Sequence, residues 1–294
     1  MRRVLLGLLF FFGGIVLLSA LVTPWAYAVV EYFAAGQVPF RRVFNRALMI
    51  SALVLLWPLA RFWGIRTWKE VGMHKVTELK GDVLWWLALG LLSVGGLFVV
   101  QLLSGDRVWG WRGDGVFFRL LGFGLSAGLI GFLEEILFRG VLFLALLKIV
   151  PQRPVWVAVL TSFFFSTTHY LKAVNPAGEI GWLSGFESWG LMLGELGNME
   201  MLALRWVSLF LVGVVLCALA YKKETLWGCM GLHAGWVLGL KTFNQATDWR
   251  GGEGSWWFQP DILSGLAAEL MLIGMLVGVL LWSVRHDQKS VKFS

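Results

Sequence analysis

Charge is what this sequence has least of. Of its 294 residues, 15% are Asp, Glu, Lys or Arg, where a soluble domain carries about 25%. The deficit is uneven, because long uncharged runs alternate with short charged loops. No stretch is polar and long enough to fold as a separate soluble domain, so residues 1–294 read as one membrane domain. Cysteine is nearly absent. Cys217 and Cys229 both lie in apolar segments, which excludes a disulfide framework and a CxxC metal site. Basic patches with nucleic-acid-binding motifs are also missing. The net charge of +7 is therefore read as a topology signal and an attraction to anionic lipid headgroups, with no nucleic-acid partner. No internal repeat and no low-complexity tract occurs.

What is present is apolar and aromatic. Hydrophobic residues make up 58% of the chain, and the mean hydropathy is +0.73. Runs of about 20 apolar residues match the hydrocarbon thickness of a bilayer. Lipid offers no partner to a free backbone group, so such runs must be helices. The expected fold class is all-α, a polytopic transmembrane bundle of about eight spanning helices. They are predicted near Val4–Val30, Ala47–Trp63, Asp82–Leu103, Val116–Ile149, Pro154–Tyr170, Met201–Tyr221, Thr225–Phe243 and Asp261–Val284. Ala26-Tyr27-Ala28 has the small-x-small form of a signal-peptide cleavage site. The run before it is longer than a typical signal core, which favours a retained anchor. Residues 171–200 form the longest connection; its Trp182, Phe186, Trp189, Leu191 and Met192 suggest a re-entrant or interfacial segment. Gly274 and Gly278 in the last helix have GxxxG spacing, which permits close helix contact. With the N-terminus in the cytoplasm, 14 basic residues fall on the inner side and ten on the outer. The positive-inside rule then puts both termini in the cytoplasm. For an integral protein of this kind the plasma membrane is the expected location.

The fourth helix carries charges where none should be. Glu134, Glu135 and Arg139 fall within six residues, and burying all three in a spanning helix costs on the order of 7–10 kcal/mol. Glu135 and Arg139 are i and i+4, share a face, and can pair. Glu134 lies about 100° around the helix and needs a different partner. Of the four histidines, His169 and His233 lie on hydrophobic segments. A glutamate and two histidines from three helices suit the activation of water. They would act either as a His-His-Glu metal set with an open position or through a glutamate that takes the proton directly. The plainer reading makes Glu135–Arg139 a structural pair and each histidine a hydrogen-bond partner of a neighbouring helix. Glu269 in the last helix has no functional account on this reading.

At these residues the sequence resembles a known family. Glu134-Glu135-Ile136-Leu137-Phe138-Arg139 is similar to the EExxxR motif of the CPBP (Abi, or type II CAAX prenyl endopeptidase) intramembrane proteases. Phe165-Ser166-Thr167-Thr168-His169 is similar to their FxxxH motif, and His233-Ala234-Gly235-Trp236-Val237 to their HxxxN motif. The resemblance covers a motif-bearing core of about residues 116–242. It implies that Glu134 activates water with help from His169, that Glu135 and Arg139 brace the site, and that His233 faces the developing oxyanion. In the metal-dependent view of the family, Glu134, His169 and His233 would ligate a divalent ion such as zinc; in the other view it is a metal-free glutamate protease. The implied partners are membrane lipids and a lipidated or membrane-embedded peptide substrate. Valine at 237 stands where the family has asparagine, and loss of one oxyanion donor costs about 10²–10³ in rate. Two alternatives remain open: a non-catalytic scaffold or bacteriocin-immunity factor on the same fold, and a proton-coupled transporter. The lack of repeats and of paired broken helices counts against the transporter.

Overall fold

In a computed structural model, the protein is an α-helical membrane bundle. Described are residues 2–34, 36–111, 113–171, 173–195, 203–252 and 255–290. The helices are α1 (Arg2–Ala34), α2 (Phe40–Phe62), α3 (Leu79–Leu103), α4 (Val116–Glu135), a π-helical stretch (Ile136–Ala145) that runs on into α5 (Leu146–Ile149), α6 (Pro154–Thr168), α7 (Ser184–Glu195), α8 (Ala203–Lys223), α9 (Trp227–Ala246) and α10 (Leu266–Ser290). Each predicted span has its helix. Four of them, α1, α2, α8 and the stretch Val76–Leu103 that contains α3, are long and apolar enough to cross a membrane on their own. In α4, Glu134 and Glu135 interrupt the apolar run, and α6 is short at 15 residues. The helix not foreseen is α7, inside the connection read as re-entrant or interfacial. Its 12 residues give about 18 Å, too short to span.

The chain divides into two compact units. The first comprises Met1–Arg66 with Thr167–Leu202. Here α1 and α2 pack side by side and α7 lies against α1. Ser19 and Thr23 are buried on α1 and return their hydroxyls to its own carbonyls, at 2.7 Å and 2.6 Å. Gly185 lets α7 approach the Ala20 backbone, where a Cβ would clash. Trp189 seals that approach: its Nε1 donates to Ser19 Oγ at 3.0 Å and its ring meets Phe44 edge-on.

The second unit comprises Thr67–Ser166 with Ala203–Ser294. Its centre is α9, buried along most of its length, with α3 on one side and α4 on another. Glycines close the α3 seam. A Cβ at Gly90 would meet the Leu232 carbonyl oxygen at 2.6 Å, and one at Gly231 or Gly235 would run into the Val83 or Leu87 carbonyl. On α4, Gly131 does the same against Met230 and Ala234. The GxxxG pair of α10 makes no such contact: nothing described lies within 4 Å of a Cβ at Gly274 or Gly278. Cys217 and Cys229 are free and buried, as their apolar surroundings implied.

Arg107, expected on the outer side, is 3% exposed. It starts β1 (Arg107–Trp109), which pairs antiparallel with β2 (Thr247–Trp249) just beyond α9. Its guanidinium donates to Gln101 Oε1 at 2.7 Å, to Thr247 Oγ1 at 3.1 Å and to the Pro260 carbonyl. Burial lowers its pKa from the ordinary arginine value. Gln101 is fully buried as the acceptor of this arginine. One guanidinium thereby ties the end of α3, the end of α9 and the loop before α10.

Candidate active site

The interior of the second unit assembles four of the five residues singled out in the sequence. Glu135 and Arg139 are completely buried and pair at 2.9 Å. A lone buried charge here would be costly, so each needs the other. Glu135 has a second bond that one-helix spacing cannot reveal. Its Oε1 also meets His233 Nδ1 at 2.7 Å, bridging α4 to α9. A carboxylate only accepts, so Nδ1 carries the hydrogen. That fixes the ring and aims Nε2 the other way. Nε2 stands 3.8 Å from Glu134 Oε2. The gap is too wide for a hydrogen bond and is one across which a bridging water is the natural link. The Glu134 side chain is 31% exposed and His233 only 6%, while Glu134 Oε2, the oxygen that faces the gap, is buried.

The local backbone changes at this point. The chain is α-helical through Glu135 and π-helical from Ile136 to Ala145, with Arg139 inside the wider turn. Wide turns of this kind interrupt α-helices chiefly at functional sites, and no residue pattern announced this one.

Phe165 is the site residue the sequence reading gave no role. It is buried on α6, with its ring edge-on to His233 at 6.0 Å and to Phe138 at 5.1 Å. The Arg139 guanidinium lies over its face, 4.4 Å from the ring centre. A stacked guanidinium gains cation–π attraction where water cannot reach it. Phe165 is the first residue of the FxxxH pattern, so the motif marks the ring as well as the histidine. His169 follows in the turn after α6, half-buried, and falls in the first unit. Val237 is half-buried on α9, one turn beyond His233. Asn244 is exposed near the far end of α9 and does not take its place. Glu269 is half-buried on α10.

Metal ligation needs three convergent donors. Among the described residues, no group of three His, Cys, Asp or Glu side chains could hold a metal ion. Glu134 and His233 Nε2 offer two donors, while Nδ1 and Glu135 Oε1 are committed to each other.

A helical bundle that buries a Glu–Arg pair and ties its carboxylate to a histidine on another helix belongs to the class of integral membrane proteins with a polar site among their helices. Residues 116–239 are similar to the family described as Type II CAAX prenyl endopeptidase Rce1-like, a match that covers less than half of the chain. The match takes in Glu134, Glu135, Arg139, His169 and His233, and leaves α1, α2, α3 and α10 outside it. The match supports a fold like that of the CAAX-type intramembrane proteases for this stretch. No curated protein and no solved structure matches the chain.

Proposed function

We propose that this protein hydrolyses a peptide bond within the bilayer, using a water held between Glu134 and His233. The observation that carries the reading is the 3.8 Å separation of Glu134 Oε2 from His233 Nε2, with the other imidazole nitrogen tied to Glu135. Glu134 takes a proton from the water, and the hydroxide attacks the scissile carbonyl. His233 enters the step as the imidazolium: its Nδ1–H stays on Glu135 and its Nε2–H donates to the oxyanion as it forms. Glu135, clamped by Arg139, stabilises the positive charge on the ring and holds its orientation, as the carboxylate of a Ser-His-Asp triad does for its histidine. Glu134 then returns its proton to the leaving amine. His169 assists Glu134, a role taken from the family resemblance alone.

The proposed substrate is a lipidated or membrane-tethered peptide, because the site lies on helices within the membrane. The outer face of α4 from Leu120 to Phe132, two residues before Glu134, is apolar and open and would suit an apolar chain. No step of this mechanism runs through a metal. A zinc ligated by Glu134, His169 and His233 is the competing version. The proposed setting is the plasma membrane, with both termini in the cytoplasm.

The test is cleavage of a prenylated peptide by the full-length protein in liposomes. Glu134→Gln should lower the rate about 10²–10⁴-fold, the usual worth of a positioned general base. Full activity in that variant would exclude the assignment. In the same assay, a strong zinc chelator should leave the wild-type rate within about twofold. Loss of the rate with chelator, and its return with added zinc, would put the metal version in its place. A scaffold that only binds peptide would show no wild-type turnover and undiminished binding in Glu134→Gln.

A further inference from the structure

We propose that the exposed face of α2 binds one anionic phospholipid, with its phosphate held by Arg42 and Arg46. The proposal does not depend on the protease reading and uses the first unit alone. Its basis is how α2 distributes its side chains. Val43, Phe44 and Ala47 are buried. Arg42, Asn45 and Arg46 are exposed. These three are i, i+3 and i+4, so they leave the helix on one side. The same side continues into Met49, Ile50 and Trp57, which are 39%, 56% and 65% exposed. Two cations therefore head an apolar track. From Arg46 to Trp57 the helix rises about 16 Å. That is the depth of one leaflet, half of a hydrocarbon core about 30 Å thick.

The two guanidiniums repel each other. Their positions differ by about 6 Å along the axis, inside a Debye length of about 8 Å. Like charges at i and i+4 destabilise a helix. No acid relieves them. The first turn of α2 holds no acidic residue, and among the described residues no carboxylate pairs with either arginine. Elsewhere in the unit a guanidinium has found a partner: Arg3 donates to the Phe62 carbonyl, and Arg61 lies over the Trp57 ring.

A lone exposed arginine at the edge of a membrane is served by water and by whatever headgroups pass. Two on one side of a helix can do more. A guanidinium meets phosphate with a fork of two N–H groups, so one phosphate lying between Arg42 and Arg46 takes a fork from each. Its negative charge cancels their repulsion, and Asn45 adds an amide donor beside them. The acyl chains then run down the track past Met49 and Ile50. Free phosphate has the same anionic chemistry but makes no use of the apolar track, which is why the lipid is the occupant.

The experiment reads retained lipid by native mass spectrometry of the full-length protein, released from phosphatidylcholine nanodiscs that contain a minor share of phosphatidylglycerol. The wild type should keep one phosphatidylglycerol per chain in preference to phosphatidylcholine. Arg42→Gln combined with Arg46→Gln should lower that retention about tenfold or more, the scale of a lost charge-assisted contact. Arg42→Lys with Arg46→Lys should lower it severalfold, because the charges stay but the forks are lost. Arg119→Gln removes an exposed guanidinium that is committed to the Asp114 carbonyl, and should change nothing. Thermal midpoints supply a second readout: phosphatidylglycerol should raise that of the wild type and leave that of the double glutamine variant unmoved. A wild type without preference for phosphatidylglycerol would overturn the proposal, as would undiminished retention in the double glutamine variant. Displacement of the lipid by inorganic phosphate would overturn it too, and assign the two arginines to a soluble anion.

Discussion

At the scale of single residues, the site turns on which nitrogen of His233 is occupied. Glu135 takes Nδ1 at 2.7 Å, so all the chemistry must pass through Nε2. The spacing of Glu135 and Arg139 made their pairing legible in the sequence. The bond to His233 was not legible, because it joins residues 98 apart and nothing local encodes that. The same limit hid Phe165, whose place over Arg139 and beside His233 depends on where α6 docks. Val237 is the residue on which activity should be most easily improved. It sits one turn after His233, and on the proposed mechanism an asparagine there would offer its amide to the oxyanion. Valine offers no donor there, and one such donor is worth about 10²–10³ in rate. Val237→Asn should therefore raise kcat by about tenfold or more, with KM changed little, because the added bond forms only as charge develops. Steady-state kinetics on the prenylated peptide would check this. An unchanged kcat would mean that the oxyanion is already served by another donor.

At the scale of elements, the seam between α3 and α9 fixes where His233 stands. The sequence disclosed these helices through their apolar runs, but not which glycines bring them together. The GxxxG spacing lies on α10, where no close contact follows, while Gly90, Gly231 and Gly235 make the approach. Periodicity within one helix cannot show what faces a residue from another. Helix α7 was missed for a related reason: its run is broken by Glu187 and three glycines, and α7 is held by Ser19, Ala20 and Phe44 from far upstream. The contrast between Gly90 and Gly96 tests the seam within a single helix. A Cβ at Gly90 meets only backbone atoms of α9, the nearest at 2.6 Å, whereas one at Gly96 meets nothing within 4 Å. Gly90→Ala must push α3 and α9 apart, which costs about 1–3 kcal/mol. Gly96→Ala should be neutral or stabilise by up to about 1 kcal/mol through helix propensity. Thermal midpoints in detergent should thus move in opposite directions or only for Gly90→Ala, and that variant should also lose peptidase activity as His233 shifts from Glu134.

At the scale of the whole molecule, the arrangement in the membrane follows from counting helices and charges together. The all-α class was legible because oil leaves the backbone no alternative to helix. Orientation is set by loops, and its signal is weaker. Adding α7 does not disturb the parity of the crossings, since about 18 Å of helix cannot traverse a hydrocarbon core of about 30 Å. The eight crossings read from the sequence would return the chain to the side on which it began. Fourteen basic residues against ten favour the cytoplasm for that side. The burial of Arg107 strengthens the asymmetry. As the clamp between β1, β2 and α3, it is no longer a free outer charge available to hold a loop, and the effective outer count falls. A reporter that folds only in the cytoplasm should therefore be active when fused to either terminus, and one that folds only outside should be silent at both. Moving three or four lysines into the loop after α1, beside Arg41 and Arg42, should erode this bias and give mixed orientation, because the difference it acts against is only a few charges. Opposite signals at the two ends of the unaltered protein would require an odd number of crossings. The helix to re-examine would then be α6, whose 15 residues give about 22 Å and make it the shortest proposed span.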